Sequence, residues 1–336
     1  MKFWITAARL IVTICLLGLL LTRVDIQQVA AILTRIMPAA FIASVLVLAA
    51  INPLLAIRWR MILKAGGFPA RYSTLVKFLF IGWFFNQLLP TGIGGDAVRA
   101  WRCRKLGMDL GAAIRGVLID RAWGYGVVIL LCASGLPSLL DVIHDPLQQW
   151  SLIVVLAIAT CGLIAALVMD RLPAPLVRLR VVAPFAVLSR QARSLLLRPG
   201  SAIPILFLST IGLLLTILST KLVGDSLDVH LSYGTWLVVL PPVLVIQLLP
   251  VSLGGWGVRE MALVLLLSAF GISQEAGLAV SLLVGIGQIV VGLPGGLLWL
   301  TDLDLPDTSK EVKAVASEEA AESDTRLHIT SGKHAV

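Results

Sequence analysis

Apolar residues in this chain come in long runs. Residues 152–169 (LIVVLAIATCGLIAALVM) and 202–220 (AIPILFLSTIGLLLTILST) hold no charge at all. Each is close to the roughly 20 residues a helix needs to cross the hydrocarbon of a bilayer. Such runs predict spanning helices at about 3–22, 38–57, 110–137, 150–170, 202–221 and 275–301. Two further stretches, 73–107 and 235–271, are apolar but broken by proline, glycine and charge. Only 14% of residues are charged and the mean hydropathy is +0.95, against about 25% charged in an ordinary soluble domain. The pattern predicts an all-α polytopic membrane protein, with one integral membrane domain over 1–301.

Charge refines the layout. Residues 302–336 hold eight acids and four Lys/Arg, a net −4, with few large apolar side chains, and read as a disordered acidic tail. The preceding 301 residues hold 23 Lys/Arg against eleven acids. These cations flank apolar spans, where they set orientation, so the high pI is no sign of nucleic acid. The stretch 58–77 (Arg58, Arg60, Lys64, Arg71, Lys77) and the loop 171–200 are basic and should face the cytoplasm; 138–149 and 222–233 hold no Lys or Arg and should face the other side. Between 58–77 and 138–149 the chain must then cross an odd number of times. If 73–107 spans, the count is even; if it dips in and returns, the charges agree. The same parity makes 235–271 a hairpin from the outer side. The prediction is six spanning helices, two re-entrant hairpins in inverted repeats, and both termini cytoplasmic. Trp4, Trp59, Trp101, Trp150 and Trp299 fall near predicted span ends, as interfacial tryptophans do.

The two hairpins share a sequence. NQLLPTGIGGDAVR (86–99) and IQLLPVSLGGWGVR (246–259) align at an offset of 160 with eight identities in fourteen positions. Pro90 and Pro250 should end the inbound helices, and Gly94-Gly95 and Gly254-Gly255 should permit the reversal. The helices that follow would aim free amides and a positive dipole end into the membrane, an arrangement that favours anions. Arg99 and Arg259, one turn on, add the fork-like donors that suit phosphate. The plainer alternative is that the motif only caps and turns two helices while each arginine snorkels.

A second polar group sits in IRGVLIDRAWG (114–124). Asp120 and Arg121 would lie some 15–17 Å into a helix beginning near Leu110, where unpaired charge is expensive. They are either functional or a structural ion-pair set, for instance Asp120 with Arg99 and Arg121 with Asp96. Arg115 is nearer the surface and should snorkel. Glu260 gives Arg259 a neighbouring counter-charge. Asn86, Gln87, Gln247 and Gln288 could satisfy broken backbone or touch a headgroup. Cys15, Cys103, Cys132 and Cys161 form no CxxC, and the four histidines fall in predicted loops or the tail, so neither a metal site nor a cofactor is expected. No nucleotide-binding fingerprint is present.

Taken together, FNQLLPTGIGGDAVRAWRCRKLGMDLGAAIRGVLIDRAWG, LLPVSLGGWGVREMALVLLLSAFGIS and GQIVVGLPGG resemble the flippase-like family, also called the lysylphosphatidylglycerol synthase transmembrane region, over about residues 5–300. The resemblance implies a bacterial inner-membrane protein related to domains that move aminoacylated or glycosylated lipids between leaflets. It makes Asn86, Pro90, Gly95, Arg99, Arg121, Pro250, Gly254, Gly255, Arg259 and Glu260 signature positions. Asp96 and Asp120 stand where relatives often carry Glu. No soluble aminoacyl-transferase domain follows, so synthesis of lysyl-lipid is not expected. The reading is a lipid translocase for an anionic phospholipid or lipid-linked headgroup, and more a transporter than an enzyme. Its candidate binding set is Asn86, Gln87, Pro90, Gly94, Gly95, Asp96, Arg99, Asp120, Arg121, Gln247, Pro250, Gly254, Gly255, Arg259 and Glu260. The alternative is an enzyme, or a partner of a lipid-synthesis enzyme, in headgroup modification, with Asp141, Asp145, Asp225 and Asp228 as candidate acids.

Overall fold

The computed structural model describes residues 2–89, 94–177, 179, 182–248 and 255–301. The predicted tail at 302–336 lies outside them, as do Pro90, Pro250 and Gly254. All regular elements among the described residues are helical. The first half holds α1 (Lys2–Leu21), α2 (Ile26–Thr34), α3 (Pro38–Ala65), α4 (Tyr72–Leu88), α5 (Gly94–Lys105) and α6 (Leu110–Val142). The second holds α7 (Pro146–Val168), the single turn α8 (Ala174–Val177), α9 (Ala183–Leu196), α10 (Pro199–Ser226), α11 (Tyr233–Ile246), α12 (Val258–Ala269) and α13 (Gln274–Thr301).

Five helices are long and apolar enough to cross a membrane: α3, α6, α7 with its short 3₁₀ extension, α10 and α13. They match five of the six predicted spans; the first corresponds to α1, with a shorter apolar stretch at Leu10–Leu20. The broken stretches became helix pairs. α4 starts seven residues after α3 ends, and α5 ends five residues before α6 starts, so the α4–α5 pair begins and ends on one face. The α11–α12 pair likewise begins beside the end of α10 and ends beside the start of α13. The two faces are opposite. Met37 N donates to Ser226 O at 2.9 Å on one side, while the end of α3 and the start of α6 close one cavity with Gln191 of α9 on the other. The latter is called the basic face below, after its loops.

The repeat extends far beyond fourteen residues. Adding 160 to the limits of α3, α4, α5 and α6 gives 198–225, 232–248, 254–265 and 270–302, which overlay α10, α11, α12 and α13. Packing follows the same exchange: α4 lies on α13 as α11 lies on α6, and α6 touches α10 as α13 touches α3. The repeat-related α3 and α10 pack on each other. Ser219 Oγ donates to Ser44 O at 3.0 Å and Arg58 Nη1 to Ser209 Oγ at 3.0 Å. Rising numbers on one helix thus meet falling numbers on the other, and the two halves are inverted.

Helix association in lipid relies on close packing by small residues, and glycines do this here. Gly135 of α6 faces Val238 of α11, and its counterpart Gly295 of α13 faces Phe80 of α4 so closely that a Cβ would lie 2.0 Å from the Phe80 carbonyl oxygen. Besides the single turn α8, two helices lie outside the predicted spans and hairpins, α2 and α9. α2 is capped by Asp25, which accepts from Gln27 N at 2.8 Å. α9 buries Ala186, Ser189, Ala192 and Leu195, a three-residue spacing that turns one side inward. Asp170, at the end of the α7 span, holds α9 through Ser189 Oγ (2.8 Å) and Arg193 Nη1 (2.9 Å).

Candidate functional site

At the tip of the first hairpin, glycine acts by absence of a side chain. A Cβ on Gly95 would sit 1.8 Å from Gly82 O, so α5 crosses α4 at backbone contact. Gly94 and Gly95 are the first two residues of α5, which corrects their expected role in the reversal: they pack rather than turn. In the second hairpin the expectation survives in part, because Gly255 (φ 84°) and Gly257 (φ 81°) hold left-handed conformations just before α12. The amides at both tips meet the protein's own side chains. Asn86 Oδ1 accepts from Gly95 N at 2.8 Å, and Glu260 Oε2 accepts from Gly257 N at 2.6 Å. Gln247 caps α11, its side chain alongside Gly255.

Five charged side chains from three helices, α3, α5 and α6, converge below the first tip. Arg99 Nη2 donates to Asp120 Oδ2 at 2.9 Å, and Arg58 Nε to Asp120 Oδ1 at 2.8 Å. Arg121 Nε donates to Asp96 Oδ2 at 2.8 Å, and Arg99 Nη1 reaches Asp96 Oδ1 at 3.3 Å. Both pairings expected from the sequence are therefore present. Arg58, Arg99 and Asp120 are 5%, 5% and 2% exposed. Arg121 is the open member, with 32% of its side chain exposed and Nη1 bonded to Tyr125 Oη at 3.2 Å. Asp120 lies ten residues into α6, about 15 Å, and Gly94 eleven residues from the end of α5. The cluster is thus about half a bilayer deep.

Three residues depart from expectation. By its place in the sequence Arg58 is a topology charge just past a span, but α3 continues to Ala65 and carries it into the cluster. Trp59, expected at the interface, is fully buried, with the Arg99 guanidinium 4.0 Å from its ring centroid. The Nε of Arg115, expected to snorkel, is buried without a partner. The signal for Arg58 and Trp59 was their place inside the apolar run from Ile51 to Ile62.

The second hairpin repeats the arginine with different neighbours. Arg259 is 8% exposed, and its Nε donates to Glu260 Oε1 at 3.0 Å and to Ser281 Oγ at 3.3 Å. Its guanidinium lies 4.8 Å from the Trp256 ring. Where α6 carries Asp120 and Arg121, α13 carries Val280 and Ser281, so the counter-charge has moved onto the arginine's own helix. The two sites meet at Gln288 of α13. Its Oε1 accepts from Arg259 Nη1 at 3.2 Å and lies 3.5 Å from Gln87 Nε2 of α4, while its backbone carbonyl accepts from Trp83 Nε1 at 3.1 Å. Gly285, one turn away, leaves room for the Arg259 guanidinium; a Cβ there would lie 2.6 Å from Nη2.

The family described as the lysylphosphatidylglycerol synthase TM region matches residues 6–296. The chain belongs to that family. Its members are membrane proteins linked to lipid handling, and the match covers both hairpins and every charge of the two clusters. A UPF0104 membrane protein of Methanocaldococcus jannaschii is 26% identical over 125 residues, which is 36% of this chain and 37% of the relative. The match thus spans well under half the length of that relative. No solved structure matches the chain.

Proposed function

We propose that the protein is a lipid translocase that carries an anionic phospholipid, or a lipid-linked anionic headgroup, between leaflets of a bacterial inner membrane, with both termini cytoplasmic. One observation carries the reading: two inverted hairpins each bury an arginine with its counter-charge near mid-depth and share one amide, Gln288. Inverted repeats whose broken helices meet at the midplane recur among transporters. The first cluster sets three arginines (Arg58, Arg99, Arg121) against two carboxylates (Asp96, Asp120). Buried charge wants balance, and a phosphodiester supplies the single missing negative charge. Arg121, the exposed member, is where it is met first. In the present conformation Asp96, Asp120 and Glu260 occupy the guanidinium donors that a phosphate would use. The headgroup therefore exchanges with these carboxylates as access alternates between the faces.

The test is lipid scrambling by purified protein in proteoliposomes. An outer-leaflet chemical tag reads unlabelled anionic lipid, and wild type is compared with Arg99→Ala, Arg259→Ala and Arg121→Gln. Flipping that depends on the protein and is lost in all three is the expected result. Arg121→Gln guards against misfolding, since its side chain is partly exposed. Wild-type rates in all three variants would overturn the site. No flipping by folded wild type would favour a partner of a lipid-modifying enzyme. The acids on the face opposite the basic one give that alternative little: Asp145 caps α7 through Leu147 N, and Asp225 pairs with Lys221.

A further inference from the structure

α6 carries a second, separate arrangement on the side turned away from the ion pairs. At 3.6 residues per turn, Arg115, Ala122 and Gly126 fall within an arc of about 40°, more than about 90° from both Asp120 and Arg121. At the basic face this side of α6 closes a cavity of about 260 Å³ against the end of α3 and Gln191 of α9. Arg115 lines it, and its Nε is buried with no hydrogen-bond partner. Its guanidinium makes no ion pair with a described residue. The nearby acid, Asp109, lies across Gly111 from Nη1 and is engaged in capping, accepting from Ala112 N at 3.0 Å. An arginine so placed, with its Nε already out of bulk water, lacks an acceptor.

Deeper on the same side lies a second space of different character. Trp123, Gly126 and Leu130 of α6, Leu163 of α7, and Ile203 and Leu206 of α10 line a groove of about 480 Å³. Its one side-chain hydroxyl, on Thr160, is spent on Leu156 O at 2.7 Å. Leu130, Ile203 and Leu206 are 65%, 66% and 43% exposed, so the groove opens sideways, where the spanning helices face hydrocarbon. α9 borders both spaces, with Gln191 on the polar one and Ala192 on the apolar one. From Arg115 to Gly126 is eleven residues, about 16 Å along the axis, close to the ~15 Å hydrocarbon depth of one leaflet.

We propose that this face binds one anionic glycerophospholipid from the leaflet on the basic side, with its phosphate on Arg115 and Gln191 and an acyl chain in the α6–α7–α10 groove. Charge selects the occupant: an arginine with no ion-pair partner among the described residues sits at headgroup level, and a separate carbon-lined groove lies farther along the same side of α6, about one leaflet's depth away. The site is independent of the translocase reading, because it uses none of the residues at the hairpin tips.

Trp123 reports on the groove directly. The full chain in detergent is titrated with phosphatidylglycerol or phosphatidylcholine carrying brominated acyl chains, which quench an indole on contact. Quenching in wild type minus that in Trp123→Phe isolates the groove. The expected result is saturable quenching with phosphatidylglycerol bound roughly tenfold more tightly than phosphatidylcholine, the worth of a charge-assisted contact. Arg115→Gln should bring phosphatidylglycerol down to the phosphatidylcholine value. Gly126→Leu should weaken both lipids alike; its Cβ would meet Leu163 only at 3.7 Å, so the added carbons fill the groove rather than clash. Ile203→Phe is a second filling variant should Gly126→Leu unfold. Equal affinity for the two lipids, a preference that survives Arg115→Gln, or no Trp123-dependent quenching would overturn the proposal. So would loss of a dimer on filling the groove with lipid binding unchanged, which would assign the face to a second copy of the chain.

Discussion

Replacing Asp120 with Asn keeps the shape of the buried node and removes its charge. The carboxylate takes Arg58 Nε at 2.8 Å and Arg99 Nη2 at 2.9 Å and is 2% exposed. In Asp120→Asn the cluster of three arginines and two carboxylates becomes three against one. Removing one partner of a buried pair costs about 3–5 kcal/mol, because the stranded charge stays buried. Arg58→Met alone leaves Asp120 bonded to Arg99 and should cost about 1.5–3 kcal/mol, the worth of a charge-assisted hydrogen bond. In the double variant two arginines face one carboxylate, so the excess returns to a single positive charge. The double loss should therefore fall short of the summed single losses by about 1–3 kcal/mol. Equilibrium unfolding of the four proteins in the same mixed micelles measures this. Losses that add within about 0.5 kcal/mol, or an Asp120→Asn protein as stable as wild type, would refute Asp120 as the common counter-charge of both arginines.

Gly95→Ala and Gly295→Ala place a Cβ 1.8 and 2.0 Å from a facing carbonyl oxygen, and each should lose at least about 1–3 kcal/mol through overpacking. Gly162→Ala in α7, with nothing within 4 Å, should gain roughly 0.5–1 kcal/mol; thermal unfolding that ranks the three otherwise would contradict the packing account. Gln288→Leu removes the acceptor shared by Arg259 and Gln87. Under the translocase reading it should slow scrambling at least about fivefold, the lower end of coupling between sites, and a wild-type rate would show that the hairpins do not communicate through it.

How much of this was legible in the sequence depended on what kind of signal each feature leaves. Spans and hairpins announce themselves by apolar length and by loop charge, so α3–α6 and α10–α13 fell close to their expected ranges. The pairing of Asp120 with Arg99, and of Arg121 with Asp96, followed from the cost of leaving such charges unpaired in an apolar stretch. Arg58 and Trp59 were misplaced because a span read from hydropathy stops at the first arginine, whereas α3 runs on to Ala65. Partnership with a residue 62 positions away leaves no local trace. The glycines misled for a related reason. Gly-Gly after proline reads as a turn, but Gly95 answers to Gly82, thirteen residues back on the other helix. The inverted order of the halves followed from loop charge, but beyond the fourteen-residue motif the repeat leaves little identity to read, because packing under an inverted two-fold constrains helix length and small residues more than identity.

The two halves share their backbone plan and differ in where charge is anchored. Arg99 is neutralised mainly across helices, by Asp120 of α6, which also holds Arg58 of α3; Asp96 of its own helix is the longer contact at 3.3 Å and is itself tied to Arg121 of α6. Drawing α5 away from α6 would break two cross-helix ion pairs at once, Arg99–Asp120 and Arg121–Asp96, at about 1.5–3 kcal/mol for each charged hydrogen bond lost. Arg259 is neutralised by Glu260, its own neighbour, so α12 carries its counter-charge wherever it goes. Its ties to α13 run through the uncharged Ser281 and Gln288. Breaking those forfeits hydrogen bonds but strands no ion. If access alternates, the hairpin that can leave its seat cheaply is therefore α11–α12. The α4–α5 pair stays fixed to α3 and α6, and the inverted copies divide the work between one held hairpin and one released.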